Sequence, residues 1–182
     1  MNIKSDISPS CSASICRSRH IMVGIAFSMA ALVSGAAFGA CTDPPRPNVN
    51  WERCYMEERN LSGVDLSGAR LRDARFHRST LDGSNLSAVD AHRAKFISAS
   101  MPKTTFDRAR LTESDFTKAN LQDASLAQTD LRRTRFFRAN LRGADLTSAR
   151  LTGADFLNAD LSGVTWIDGK TVCAEGSIGQ CK

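Results

Sequence analysis

Six cysteines and three histidines are the residues in this chain best suited to chemistry. A metal centre would need them clustered at ligand spacing, with pairs such as Cys-x-x-Cys. No Cys-x-x-Cys occurs, and His77 and His92 lie far from any cysteine in sequence. Paired carboxylates could do acid–base work, but only inside a pocket that holds substrate. The Asp and Asn residues here follow a regular spacing, described below, and form no cluster. There is no glycine-rich phosphate loop either. These absences point away from an enzyme and predict no cofactor, no metal and no small-molecule substrate.

The cysteines carry a different message once the start of the chain is considered. Residues 1–20 hold Lys4, Arg17, Arg19 and His20 against Asp6 alone, the apolar run Ile21 to Val33 follows, and small residues lead to Ala40. A basic, then apolar, then small-residue order is that of a secretory signal peptide. Cleavage after Ala40 is the expectation, although Phe38 stands where a small residue is usual. An uncleaved anchor helix and lipidation of Cys41 are the alternatives. Cys11 and Cys16 leave with the leader, so Cys41, Cys54, Cys173 and Cys181 remain. Four cysteines in an exported chain read as disulfides. The expected location is periplasmic or secreted, with a lipid-anchored or membrane-anchored form as the other possibility.

A chain of 182 residues holds one domain with a core. Its 24% charged and 42% hydrophobic content argues against a disordered tail or a multi-span membrane protein. The net charge of +5 suggests an anionic partner, but residues 1–40 carry three of the basic groups and one of the acids. The remainder has 21 Lys+Arg against 18 Asp+Glu, close to balance.

The elements that position these residues are set by a repeat. From Leu61 to Leu161 every fifth residue is apolar, and two places before each from Val64 onward stands Ala, Ser, Thr or Val. Of the 22 positions that recur every five residues from Asn60 to Thr165, 11 are Asn or Asp. Segments such as Ala139-Asn140-Leu141-Arg142-Gly143 show the unit undiluted. A helix would rotate this apolar stripe by about 140° per repeat, smearing it around the surface. A long strand would throw successive leucines to opposite faces. A short extended piece followed by a corner satisfies the period, with the small residue and the Leu or Phe both facing inward. Such coils bury their inner face only by stacking.

This pattern resembles the pentapeptide-repeat family over about residues 51–168. The resemblance implies an all-β fold, a right-handed quadrilateral β-helix with 20 residues per coil. The phenylalanines argue separately for four sides: Phe76, Phe96, Phe116, Phe136 and Phe156 recur every 20 residues, which stacks them in one core column on a square coil. With Trp51, Met56 and Trp166 in the same register, about six coils are expected, a rod of roughly 29 Å. Ala91 should leave its column underfilled, and Pro102 should remove a ladder donor, loosening the middle coils. The expected organisation is a signal peptide at 1–40, an N-terminal cap at 41–58, the β-helix at 59–166 and a C-terminal cap at 167–182.

Both rod ends carry an aromatic and a cysteine pair. Disulfides need Cα atoms within about 7 Å, so pairing across the rod is excluded. The expected staples are Cys41–Cys54 and Cys173–Cys181, capping edges that would otherwise invite aggregation.

Sorting the outward residues on the 20-residue period gives four faces, named here by their first core residue. The Leu61 and Leu66 faces are mildly acidic. The Leu71 face is basic through Arg70, Arg72, Arg93, Arg110, Arg132, Arg133 and Arg150. The Phe76 face is also basic, through Arg75, Arg78, Lys95, Lys118, Arg135 and Arg138. Just after its core residues, the Phe76 face shows Ile97, Phe137 and Leu157 in one outward line. An apolar line rimmed by arginine is a candidate protein contact, so the candidate partner face is Ile97, Arg135, Phe137, Arg138 and Leu157.

The expected function is a non-catalytic exported rod that acts as a scaffold or protein-interaction module. Its partner would be a protein or an anionic envelope surface, and a homodimer is a possible assembly. The resemblance also implies an alternative, since family members that mimic DNA bind gyrase with an acidic rod. The weakly basic surface and the leader disfavour that reading. They also disfavour direct nucleic-acid binding, as does the lack of aromatic residues interleaved with the arginines.

Overall fold

The computed structural model describes residues 41–182; the signal-peptide expectation for 1–40 lies outside the described residues. Among the described residues no helix is long and apolar enough to cross a membrane.

The backbone turns a corner every five residues. Each fifth residue from Asn48 to Gly163 has a positive φ, near +60°, whether or not it is glycine. Four corners bring the chain back over itself, and parallel bridges join residues 20 apart, from Asn50↔Arg70 through to Asp145↔Thr165. The ladder repeats one arrangement on every face. Leu81 N–H donates to the Ser100 carbonyl at 2.7 Å, and Ser100 N–H donates to the Ser79 carbonyl at 2.9 Å. The resulting β-helix satisfies its backbone by contact with the coil above and the coil below.

Five-residue spacing decides what lies inside. The Leu or Phe of each unit and the small residue three places later both point to the axis, so columns from Leu66 to Leu146 are fully buried. Phe76, Phe96, Phe116, Phe136 and Phe156 stack with ring centroids 4.8–5.3 Å apart and interplanar angles of 15° or less. That is the coil spacing of a β-structure, so the rings stack because the backbone does. Phe106 crosses from the opposite face and packs edge-on to Phe96 and Phe116, at 6.0 and 5.9 Å.

Hydroxyls replace alanine at several inner positions without being orphaned. Ser84 Oγ donates to the Leu61 carbonyl at 2.6 Å and Thr104 Oγ1 to the Leu81 carbonyl at 2.7 Å, each reaching one coil back. Thr134 does the same to Leu111 at 2.7 Å. A buried hydroxyl with a partner costs little, whereas an unpaired one would be expensive.

The expectation that Pro102 removes a ladder donor is not met, and the ladder also runs unbroken past Ala91. Ala91 is fully buried and its N–H donates to the Arg110 carbonyl at 2.9 Å. Around Pro102 the ladder is intact: Met101 and Lys103 N–H both donate at 2.8 Å, and the Pro102 carbonyl accepts from Gly83 at 2.9 Å. The reason is positional. The amide just after a core residue takes no part in the ladder, and where Asn or Asp stands two places earlier it donates to that side chain, as Glu52 does to Asn50 Oδ1 at 3.1 Å. Proline at 102 follows Ser100, so it removes neither bond.

Disulfides tie both ends, Cys41 to Cys54 and Cys173 to Cys181. At the C-terminal end the chain reverses, and Val172 and Ile178 bridge antiparallel to Thr165 and Asp160.

Candidate functional site

The Asn and Asp residues that recur along the chain are turn-makers. Asp65, Asn85, Asp115, Asp145 and Asp160 each accept the backbone N–H two residues on, at 2.8–3.1 Å, while four of the five also take a Ser or Thr hydroxyl. This Asx geometry shapes the run into each corner. The same bonds act on the carboxyls. The Ser67 amide, 2.9 Å away, leads in holding Asp65 below the usual carboxylate range. Burial pushes Asp160 up, but Ser162 and Arg142 outweigh it and leave its pKa lowered. These carboxylates are committed to local structure.

The histidines are similarly engaged. His92 Nδ1 lies 2.8 Å from Thr112 Oγ1 and 3.0 Å from the Thr112 carbonyl, one coil on. His77 Nδ1 lies 3.5 Å from Glu57. Among the described residues no group of three or more His, Cys, Asp or Glu could hold a metal ion.

The candidate face is assembled by the 20-residue register, which sets Ile97, Phe137 and Leu157 on successive coils at the same outward place. They are unequal once folded. Leu157 is 59% exposed, while Ile97 and Phe137 are half-buried. The Arg138 guanidinium lies over the Phe137 ring, 5.0 Å from its centroid. That cation–π contact covers the ring with charge and makes the pair one mixed surface. The Arg135 backbone lies between those of Asp115 and Asp155 in the ladder, and its guanidinium pairs with Asp115 at 3.6 Å. The basic Phe76 face is thus partly neutralised by its own carboxylates.

The Leu71 face is neutralised further. Arg132 makes two hydrogen bonds to Asp130, at 2.8 and 2.7 Å, and lowers its pKa. Arg93 pairs with Asp73 at 3.3 Å and Arg133 with Glu113 at 3.6 Å. At the corner between the Leu71 and Phe76 faces the side chains leave an open groove of about 580 Å³. One wall is Asp73, Arg93, Glu113 and Arg133, the other Arg75, Lys95, Asp115, Arg135 and Asp155. Sorting residues face by face misses it, because its two walls belong to different faces. Reading across the corner on the same period would have found it.

A second feature escaped the sequence reading. Four large exposed apolar side chains, Leu157, Ile167, Val172 and Ile178, gather at the C-terminal end. Three belong to or border the tail after the last coil, where the repeat no longer tells inside from outside.

The family model described as Pentapeptide repeats matches in eight copies, over residues 52–87, 60–96, 92–128, 114–153 and 129–165. No curated protein matches by sequence. Among solved structures, the chain is similar to the pentapeptide repeat protein Rfr23 from the cyanobacterium Cyanothece 51142, with 22% identity over 63% of this chain and 88% of that one and a TM-score of 0.45. It is also similar to QnrB1, a plasmid-mediated fluoroquinolone resistance protein, at 17% identity over 72% and 81% of the two chains, with a TM-score of 0.35. A thylakoid-lumen pentapeptide repeat protein from Arabidopsis thaliana matches at 18% identity over 72% and 86%, with a TM-score of 0.27.

Proposed function

The chain belongs to the pentapeptide repeat family, whose repeats wind as right-handed β-helices, and from that premise we propose that it is a non-catalytic exported rod of about six coils serving as a protein-interaction scaffold. The observation that carries this reading is the division of labour within each unit. Two residues of every five fill the axis, and the others form outward ladders whose variable is side-chain identity. A surface of that kind recognises by pattern, through charge and apolar contact at coil spacing.

The partner face is the strip formed by Ile97, Arg135, Phe137, Arg138 and Leu157. It presents one exposed leucine, a ring and guanidinium stacked together, and an arginine paired with Asp115. Arginine stacked on an aromatic ring and flanked by apolar groups is a composition favoured at interface centres. The partner that fits is a protein with an acidic, partly apolar surface in the envelope. Periplasmic or extracellular placement follows from the leader at 1–40, and the two disulfides suit an oxidising compartment.

The test is capture from an envelope extract by the wild-type chain and by the double variant Arg135→Glu/Arg138→Glu. Loss of a specific captured protein in the variant, with its circular dichroism unchanged, supports the face. Identical capture by both removes it.

A further inference from the structure

Two of the four faces at the C-terminal end are sealed by the tail, and two are left bare. On the Leu61 face the Ala159 carbonyl accepts from Gly179 at 2.9 Å and Leu161 N–H donates to the Ser177 carbonyl at 2.8 Å. On the Leu66 face the Val164 carbonyl accepts from Cys173 at 2.9 Å and Trp166 N–H donates to Thr171 at 2.8 Å. The corresponding groups on the Leu71 and Phe76 faces, namely the N–H of Leu151 and Phe156 and the carbonyls of Ala149 and Ala154, have no backbone partner among the described residues. The corner amides of Gly153 and Asn158 are also unpaired there. Leu151 and Phe156 are half-exposed, although every earlier member of their columns is fully buried. An open β-edge with apolar side chains behind it is a pairing surface.

The end is therefore a step, with the tail adding one strand layer over half of the square. Val172 and Ile178, in that layer, have backbone N–H and carbonyl groups without backbone partners. A two-fold axis across the rod, along the diagonal dividing the capped half from the bare half, fits two such steps together. Each tail then lies over the bare half of the other copy. The axis reverses strand direction, and each tail already runs antiparallel to its own last coil. The tail consequently meets the other copy's bare edge in parallel, the pairing that every interior coil uses. Leu157 and Ile167 occupy the two corners through which the axis passes, so each is covered by its own counterpart. This accounts together for the unpaired edge, the half-exposed Leu151 and Phe156, and the four apolar side chains gathered at this end.

We propose that the chain forms a two-fold dimer through its C-terminal end, in which the tail of each copy, carrying Val172 and Ile178, completes the bare edge at residues 149–158 of the other. A self-complementary step commits the occupant to a second copy, since an isologous contact uses the same surface on both sides. The proposal does not depend on the Ile97–Phe137 strip finding a partner.

Two measurements test it on the full chain. Sedimentation equilibrium should show a dimer, and Val172→Lys/Ile167→Lys should raise its dissociation constant about tenfold or more. In that variant Val172→Lys faces Arg150 of the second copy, while Ile167→Lys meets its own counterpart. Both side chains are exposed in the single chain, at 61% and 41%, so its circular dichroism should not change. Hydrogen exchange needs no variant: amides of Leu151, Gly153, Phe156 and Asn158 should become slower as wild-type concentration rises. A wild-type monomer overturns the proposal. So does a dimer that survives the variant, or concentration-dependent protection that maps elsewhere.

Discussion

Ala88 sits at a corner with φ of +56°, a left-handed conformation that costs an alanine about 1 kcal/mol relative to glycine. Its N–H still donates to the Asp107 carbonyl at 2.8 Å, so the ladder holds it there against its own preference. Ala88→Gly should therefore raise stability by about 0.5–1 kcal/mol, read as a shifted urea midpoint. Gly83 is the converse case: a Cβ there would meet nothing within 4 Å, so only its φ of +64° resists substitution. Gly83→Ala should cost about 1 kcal/mol by the same titration. Equal midpoints for both variants and wild type would show that the corners carry no backbone strain.

At the scale of the element, the phenylalanine column is the clearest unit. Phe116 contacts Phe96, Phe136 and Phe106, whereas Phe76 stacks on Phe96 alone. Phe116→Ala should cost about 3–5 kcal/mol in denaturant unfolding, and more than Phe76→Ala. Equal, small losses would mean that the rings do not act as a stack. The tail is the other unit. Arg142 joins it to the last coil, with bonds of 2.8 and 3.0 Å to Glu175 and one of 3.3 Å to Asp160. Replacing Cys173 and Cys181 by serine opens an eight-residue separation and should cost about 2–3 kcal/mol by loop entropy. The tail also holds a pH-sensitive turn. The Thr171 hydroxyl, with the amides of Lys170 and Thr171, draws the Asp168 pKa down from 3.8 to about 2. A lowered folded pKa gives stability that is complete above the unfolded value and lost as the carboxyl protonates. The Thr171 amide should stay protected above pH 3.8 and open progressively toward pH 2. Opening already complete above pH 3.8 would show that another group holds the turn.

For the whole molecule, charge is a matter of arrangement. The net +5 of the full sequence overstates what a partner meets, because Asp73, Glu113, Asp115 and Asp130 neutralise arginines beside them. Cell fractionation with and without residues 1–40 tests the export reading at this scale. The full chain should reach the envelope fraction and lose the leader, and the truncated chain should stay in the cytoplasm. A full-length chain found in the cytoplasm would reopen the gyrase-directed alternative.

The five-residue period was enough to place Leu66, Phe96 or Ala124 inside, and the 20-residue recurrence of phenylalanine was enough to count four sides, because both follow from local geometry repeated without change. It also placed Ile97, Phe137 and Leu157 on one line. It could not tell that Arg138 covers Phe137, that Arg135 pairs with Asp115, or that Pro102 occupies a place outside the ladder. Those depend on which atoms meet between residues 20 apart. The bare half-turn at 149–158 was likewise invisible, because it exists only through where the non-repeating tail comes to rest. Periodicity alone determines the inside of this rod, where every coil imposes the same neighbours. Its surface and its ends are decided by the tertiary structure, where the neighbours differ from coil to coil.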